Sequence, residues 1–322
     1  MTEVEDTFCE AFEGLFVRLC VTANDEKWLT YAVRGATALP CTVFGESEAG
    51  IEKFLGEEET PDGRKGAIIQ IWVGTEGGEA EALQKLEKEV AKRVRQGILV
   101  VPTTAVFDAF SLRCEGCEIK EEGSIDTLRK IGHCGDGYEE ICEKFGREII
   151  KIPIMMGEFI VERFFKYGKG VMGGNIWLFC ERIEDALAAG ERAVEAVNAV
   201  DGAIAPFGVC AAGSKPETKF PEIGPTTNHP FCPTLRGKLA ETKVPEGVSA
   251  IPEIVVDGVS ESVVKKALRA AIESVMSVKG VVKISAGNYG GKLGKFKFYL
   301  KSFIQYTHSS FFNSSNLKPS LI

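Results

Sequence analysis

The chain has 322 residues, of which 44% are hydrophobic and 26% charged, and its formal net charge is −8. This is the composition of a globular protein with enough apolar material for a buried core, in one large domain or two of ordinary size. Its apolar runs, such as Ala67–Val73 and Ile251–Val256, are much shorter than the roughly 18 residues of a membrane span. The N-terminus is acidic, unlike a secretory signal, and no cluster of lysine and arginine is interleaved with aromatics. We therefore expect a cytoplasmic protein that binds neither nucleic acid nor membrane.

The first half of the chain contains two segments in which an apolar run, an amphipathic helix and a second apolar run follow one another. The first segment comprises Leu15–Thr22, a helix near Asp25–Thr37 and a strand around Cys41–Phe44. The second comprises Ala67–Val73, a helix over Glu79–Gln96 and a strand at Ile98–Val101. In the second helix the apolar residues Leu83, Leu86, Val90 and Val94 recur three or four apart, which predicts one buried stripe.

The second half repeats this order twice. One segment comprises Asn175–Glu181, a helix near Glu184–Val197 and a strand at Gly202–Ala205. The other comprises Ile251–Val256, a helix from about Ser260 to Ser277, with Ser260 as its N-cap, and Val281–Ser285. The predicted core stripe of this helix comprises Val264, Ala267, Leu268, Ala271, Ile272 and Val275. Because two such units form a split β-α-β sandwich, we predict an α+β fold of two pseudo-repeated ferredoxin-like lobes. They cover residues 1–150 and 151–300, and an irregular tail follows at 301–322.

Two glycine-rich turns are candidate ligand sites. The turn Gly287–Gly294 (GNYGGKLG) resembles a phosphate-binding loop but lacks its first glycine and its final serine or threonine. What remains is a turn whose backbone N–H groups and lysine can hold a carboxylate or an oxyanion; an ordinary turn is the alternative. The turn Gly170–Asn175 (GVMGGN) permits a similar close approach. The candidate substrate-binding residues in these turns are Gly173, Gly174, Asn175, Gly290, Gly291 and Lys292.

The cysteines allow a metal-binding alternative. Ten cysteines in an intracellular chain are expected to be free thiols. Cys114 and Cys117, with His133, Cys134 and Cys142 downstream, approximate a zinc-binding spacing, but the second half is not a clean knuckle. We therefore predict no metal site and interpret these residues as thiols on a surface excursion.

Glu253 is the most informative candidate for chemistry. It interrupts Ile251–Val256, a strand that is otherwise apolar on both faces. A carboxyl placed there faces either the core or a cleft, and desolvation would raise its pKa towards neutrality, as suits a general acid or base. The alternative is a glutamate at the start of a strand that turns to solvent or pairs with a lysine. No nucleophile motif surrounds His133 or His229, which argues against a serine or cysteine hydrolase.

Blocks distributed along most of the chain resemble formylmethanofuran:tetrahydromethanopterin formyltransferases. They include EDTFCEAFE (Glu5–Glu13), PTTAVFDA (Pro102–Ala109), IPIMMGEFIVE (Ile152–Glu162), TTNHPFCPT (Thr226–Thr234), PEIVVDG (Pro252–Gly258) and VVKISAGNYGGKLG (Val281–Gly294). The chain departs from the family pattern by a shortened loop at Gly208–Cys210 and by Pro252, which takes an aromatic position.

The resemblance implies reversible formyl transfer from methanofuran to N5 of tetrahydromethanopterin, with both coenzymes as substrates and no bound cofactor. It also implies a homo-oligomer, in which dimers pair into tetramers, and it assigns the key carboxylate to Glu253. The same resemblance adds Asn228 to the substrate-binding residues. Two alternatives keep the fold without catalysis: a divergent copy acting as a structural or regulatory partner, and a ligand-sensing module.

Overall fold

A computed structural model describes residues 2–38, 47–114, 116–215, 218–224 and 226–304. The first half contains β1 (Glu3–Val4), β2 (Phe8–Ala23), α1 (Glu26–Ala36), β3 (Glu48–Leu55), β4 (Lys65–Gly74), α2 (Glu79–Arg93), β5 (Ala105–Asp108), β6 (Glu121–Asp126), β7 (Glu140–Lys144) and β8 (Arg147–Ile154). The second half contains β9 (Gly157–Glu162), β10 (Phe164–Cys180), α3 (Ile183–Asn198), β11 (Ala203–Ile204), β12 (Ser214–Lys215), β13 (Thr226–Thr227), β14 (Glu253–Gly258), α4 (Glu261–Val275), β15 (Val281–Ser285) and β16 (Phe296–Tyr299). Within these residues, no helix is both long and apolar enough to cross a membrane.

Two four-stranded units in the sheet have the same order. In the first, antiparallel pairing gives β5-β2-β4-β3. In the second, it gives β15-β10-β14-β11. If the four strands of each unit are counted in chain order, their order across the sheet is 4-1-3-2. This is the split β-α-β arrangement. The predicted mixed α+β class is confirmed.

The two units belong to one continuous sheet because their first strands pair with each other. β2 and β10 run antiparallel, with Val17 opposite Tyr167 and Phe12 opposite Met172. The predicted boundary at residue 150 falls inside β8, which pairs along its length with β9. Strand β9 leads directly into β10, so the chain enters the second unit without leaving the sheet.

One predicted strand is wrong. Ile98–Val101 does not form a strand; Val94–Leu99 instead make a wide helical turn after α2, and the strand follows at Ala105–Asp108. Ile98 and Val101 are buried whereas Val100 is exposed, and an apolar run this short does not distinguish a strand from a helical turn. The turn brings Gly97 against the end of α1, where a Cβ atom would lie 2.6 Å from the Ala36 nitrogen. The strand predicted around Cys41–Phe44 lies outside the described residues, as do residues 305–322 of the predicted tail.

Local capping agrees with the sequence for the last helix. Ser260 is the N-cap of α4 and accepts a hydrogen bond from the Val263 nitrogen at 3.4 Å, as predicted. The predicted core stripe is also confirmed, with Val264, Ala267, Leu268, Ala271, Ile272 and Val275 all buried. This packing holds α4 against β10 and β14, the strands that carry the candidate site.

A buried ion pair connects the two units. The Arg18 guanidinium donates to both carboxylate oxygens of Glu52, at 2.6 and 2.7 Å, and both side chains are shielded from solvent. The Glu52 carboxylate also accepts from Gln70 at 2.8 Å and from the backbone nitrogen of Gly202 at 3.0 Å. Gly202 belongs to the second unit. Its buried backbone N–H is therefore hydrogen-bonded to a carboxylate of the first unit.

The prediction of free thiols is wrong for one pair, because Cys114 and Cys117 form a disulfide. Their sulfurs are bonded to each other, so they do not act as zinc ligands in this structure. The disulfide packs on Gly202, where a Cβ atom would come within 3.2 Å of both sulfurs. Among the residues that the structure describes, no group of histidine, cysteine, aspartate or glutamate side chains is arranged to hold a metal ion.

Reduction of this disulfide is expected to lower the free energy of unfolding by about 1–2 kcal/mol, because the loop it closes is only a few residues long. Urea unfolding curves with and without a thiol reductant measure the difference, with the reduced state verified by thiol counting. The control is the double variant Cys114→Ser, Cys117→Ser, whose curve does not respond to reductant. Superimposable curves for oxidised and reduced wild type contradict the prediction.

Candidate functional site

Glu253 begins β14 and lies between two neighbouring segments. On one side it pairs with Trp177 of β10; on the other it forms an isolated antiparallel bridge with Cys210. The Trp177 indole N–H donates to Glu253 Oε1 at 3.0 Å, and the side chain of Cys210 lies directly opposite Glu253 across the bridge, where its thiol is a second donor group. Burial raises the pKa of Glu253 above its ordinary value, while these two donors act in the opposite direction.

Glu253 lines a cavity of about 910 Å³. Three other predicted substrate-binding residues, Asn175, Asn228 and Lys292, line the same cavity. Four lysines contribute to its wall, namely Lys215, Lys243, Lys283 and Lys292. A cleft with this lining suits an anionic ligand even though the net charge of the chain is −8, because local cations act at short range.

A second cavity, of about 380 Å³, is also lined by Glu253. The two cavities share four lining residues: Trp177, Asn228, Phe231 and Glu253. The rest of the second cavity is largely apolar and includes Ile183, Leu187, Val209, Ala211, Ile251 and Pro252. The candidate carboxyl therefore borders both a lysine-rich and an apolar space.

The glycine-rich loop Gly287–Gly294 is already occupied by a carboxylate of the chain itself. Glu10 of β2 is buried under the loop, and its two oxygens accept hydrogen bonds from the backbone nitrogens of Tyr289, Gly291, Leu293 and Gly294. The Gly290 nitrogen donates to the Asn288 side chain at 3.0 Å. These four N–H groups therefore hold a carboxylate, one of the two kinds of anion expected of the turn, and they are already engaged by Glu10. Gly290 and Gly291 shape the loop that carries Lys292, and neither lines the two cavities.

Glu10 is the anion that this loop is built to hold. Burial alone would raise the pKa of Glu10, but the four backbone donors bring it below its ordinary value. Glu10→Gln is expected to cost about 1–3 kcal/mol of unfolding free energy at pH 7, because an amide NH₂ then faces backbone donors.

The pH dependence of this effect has a defined sign. A lowered folded-state pKa stabilises the fold above the ordinary glutamate pKa, and the contribution is lost as the pH falls below about 4. The difference between wild type and Glu10→Gln in urea unfolding should therefore shrink on acidification. Glu13→Gln, on the same strand and paired with exposed Lys295, serves as the control. An equal cost at pH 7 and at about pH 3 contradicts the assignment.

The second predicted glycine turn also has a structural role. Gly173 has φ +81° and lies in an irregularity between β10 and β14, where its nitrogen donates to Asp257 Oδ1 at 2.9 Å. Asp257 is fully buried, and its pKa is raised mainly by burial and further by the neighbouring carboxyl of Glu48. Gly174 packs against α4, where a Cβ atom would lie 3.2 Å from Val264. Both glycines lie outside the walls of the two cavities.

Asn175 connects this turn with the loop that carries Lys292. Its Oδ1 accepts from the Gly287 nitrogen at 2.7 Å, and its Nδ2 donates to the Gly287 oxygen at 3.4 Å. The side chain thus fixes the first residue of the loop against β10. Asn175 lines the larger cavity and at the same time sets the shape of its rim.

Sequence reasoning missed the side chains that surround Glu253. Trp177 and Cys210 lie 76 and 43 positions before it, and the sheet register alone brings them together. Phe231 packs edge-on against Trp177, with ring centroids 4.7 Å apart. The available signal was the location of Trp177 two residues after Asn175 in the same strand, which places both side chains on one face.

The fold places the chain among mixed α+β proteins built on a repeated split β-α-β unit. Residues 1–154 match the formylmethanofuran-tetrahydromethanopterin formyltransferase family, and residues 157–303 match the proximal lobe of the same family. The chain therefore belongs to the formylmethanofuran–tetrahydromethanopterin formyltransferase family, and the resemblance predicted from its sequence is confirmed.

Individual relatives cover nearly the whole chain. A formyltransferase-like protein of Methanopyrus kandleri is 59% identical over 302 residues, which is 94% of this chain and 97% of that protein. The solved formyltransferase of Methanosarcina barkeri superimposes with a TM-score of 0.84 at 37% identity, covering 94% of this chain and 98% of that one. A chain of the formyltransferase/hydrolase complex of Methylorubrum extorquens, solved with methylofuran, gives 0.83 at 33% identity and covers 94% and 96%.

Proposed function

We propose that this chain is a formyltransferase that moves a formyl group reversibly from formylmethanofuran to N5 of tetrahydromethanopterin. The observation that carries the proposal is the location of Glu253 at the boundary of two cavities. Two large substrates that approach from opposite sides would meet at this carboxyl. Family membership supplies the substrate class, since the Methanosarcina barkeri relative carries this enzyme name.

The chemistry requires a group that moves one proton between two nitrogens. The acceptor N5 is a weakly basic amine that is neutral at pH 7, so it attacks the formyl carbon without activation. The resulting tetrahedral intermediate bears an oxyanion, and the departing alkylamine is a poor leaving group unless it is protonated. Glu253 takes the proton from the attacking nitrogen and delivers it to the departing nitrogen. A carboxyl whose pKa is raised by burial suits both halves of this transfer.

The remaining rate enhancement comes from alignment and from stabilisation of the oxyanion. Holding the two substrates in place contributes up to about 7–11 kcal/mol of barrier reduction, and one oxyanion donor adds roughly 10²–10³-fold in rate. The loop nitrogens beside Lys292 already bind Glu10, so we assign the donor to a side chain. Asn228 is that residue, because it lines both cavities together with Glu253.

The wider properties implied by the family complete the proposal. We interpret the two sheet units as a ferredoxin-like pseudo-repeat with domains at 1–150 and 151–300. The chain acts as a cytoplasmic homotetramer. Methanofuran and tetrahydromethanopterin are its substrates and not resident cofactors. The reaction as written needs no metal or prosthetic group.

A second candidate function is a catalytically inactive copy that acts as a structural or regulatory partner. One observation favours it: the Methanopyrus kandleri relative, at 59% identity, is called formyltransferase-like. In that case the two coenzymes would bind in the cavities without turnover.

A direct assay separates the two candidates. Purified chain is mixed with formylmethanofuran and tetrahydromethanopterin, and N5-formyltetrahydromethanopterin is quantified by chromatography. Formyl transfer above a heat-unfolded control supports the enzyme. Coenzyme binding measured by calorimetry, without formyl transfer, supports the inactive copy. If the chain neither binds the coenzymes nor transfers the formyl group, the assignment of the two cavities as the coenzyme site is contradicted.

A further inference from the structure

The carboxyl of Glu253 is held between two hydrogen-bond donors that come from different parts of the chain. In the sheet, Trp177 and Cys210 lie directly across from Glu253 on either side, and residues directly opposite on neighbouring strands point to the same face. The indole N–H donates at 3.0 Å, and the Cys210 thiol projects from the residue directly opposite Glu253 in the bridge, where it lowers the pKa of that carboxyl. The carboxylate is therefore flanked on both sides.

Each donor is itself fixed. The Cys210 backbone exchanges two hydrogen bonds with Glu253, each 2.9 Å long, so the Cβ atom that carries the thiol is fixed opposite Glu253. Trp177 is 8% exposed, and its indole packs edge-on against the ring of Phe231. Rigid donors of this kind keep a functional side chain in one orientation.

We propose that Trp177 and Cys210 are positioning residues that hold the Glu253 carboxyl in one orientation at the boundary of the two cavities. This rests on the proposed function only for its effect on turnover; the contacts themselves belong to the free protein. Both donors favour the ionised carboxylate and oppose the effect of burial. Loss of either donor is therefore expected to raise the pKa of Glu253 further.

Other ionisable groups line the larger cavity, and their influence on the pKa of Glu253 must be distinguished from that of Trp177 and Cys210. Those that line the larger cavity are Glu5, Lys215, His229, Lys243, Lys283 and Lys292. Glu5 and Lys283 pair with each other at 2.9 Å, and Lys243 lies over the ring of Phe231. The groups that act on the pKa of Glu253 are burial, Trp177 and Cys210, so a change at Cys210 should act without changing the cavity charges.

The test follows the ionisation of Glu253 through Trp177, without reference to catalysis. The chain contains three tryptophans, so ¹⁵N-indole labelling gives few peaks, and Trp177→Phe identifies the one of interest. We expect this peak to titrate with pH in the wild type and not in Glu253→Gln. In Cys210→Ala the midpoint should rise by roughly half to one pH unit, because a donor to a charged acceptor is lost. Cys210→Ser retains a donor and should stay near the wild-type midpoint.

The activity arm uses the same variants. If the protein transfers formyl groups, Cys210→Ala should lower kcat several-fold with little change in KM, shift the pH profile of kcat in the same direction as the indole midpoint, and be rescued by Cys210→Ser. Cys142→Ala, which removes a half-buried thiol from β7, controls for thiol loss. A shifted midpoint in a protein without transfer activity supports the positioning role and rejects the enzyme. An indole peak that does not titrate, or whose midpoint is the same in Cys210→Ala and wild type, overturns the positioning role whatever the activity.

Discussion

Glu253→Gln is expected to reduce the turnover of formyl transfer by about 10²–10⁴-fold, while the KM values for both coenzymes change little. Glutamine keeps the size of the side chain and can still accept the Trp177 hydrogen bond, so the site retains its shape. It cannot take up and release a proton, and the departing amine then leaves unprotonated. Steady-state kinetics with both coenzymes varied measures the separation of kcat from KM.

The pH profile gives this prediction a second readout. The limb of the kcat profile that reports Glu253 should disappear in Glu253→Gln, because no titrating group remains at that position. Glu121→Gln, an exposed carboxylate paired with Lys166 on the sheet surface, is the matched control. Turnover of Glu253→Gln within a few-fold of wild type removes Glu253 from the proton-transfer role.

Glu52→Ala is expected to lower the free energy of unfolding by about 3–5 kcal/mol, because it leaves the Arg18 guanidinium charged and unpaired in the interior. Both partners of the pair are shielded from solvent. The Gly202 nitrogen loses its acceptor at the same time, which weakens the contact between the two sheet units. Urea unfolding at neutral pH measures the loss.

A double-mutant cycle attributes this loss to the pair. Arg18→Met alone, Glu52→Leu alone and the double variant are compared, and the double variant should cost less than the sum of the two single changes. It should still cost something, because Arg18 also donates to the carbonyl of Ala109 at 2.6 Å. Glu121→Ala, which breaks an exposed pair, should cost at most about 1 kcal/mol. A loss below about 1 kcal/mol in Glu52→Ala contradicts the account of the buried pair.

Much of the second unit could be predicted from the sequence. The period of apolar residues in α4 and the N-cap Ser260 are local signals, and both are confirmed. Glu253 stood out because it is the charged residue in an otherwise apolar strand, and desolvation is a consequence that composition alone implies. Desolvation of Glu253 can thus be inferred from its own apolar run, without knowing which strands lie beside it.

What could not be predicted depends on pairing between distant residues. Glu10 occupies the glycine loop from a strand about 280 positions away, and nothing in the local motif distinguishes a loop that binds a ligand from one that binds its own chain. Trp177 and Cys210 meet Glu253 only through the sheet register. The disulfide joins Cys114 and Cys117, which are only three positions apart, but its packing against Gly202 is a contact between distant parts of the chain.

Proton transfer by Glu253 requires the two coenzymes to meet at its side chain. A crystal structure of the Glu253→Gln variant with both coenzymes bound measures the distances between their reacting nitrogens and residue 253. The reacting nitrogen of each coenzyme is expected within about 2.6–3.2 Å of the side chain at position 253, or one water molecule away from it. The coenzymes should occupy the lysine-rich cavity and the apolar cavity on either side of that side chain. Binding of either coenzyme at a place that leaves its reacting nitrogen out of reach of residue 253 contradicts the account.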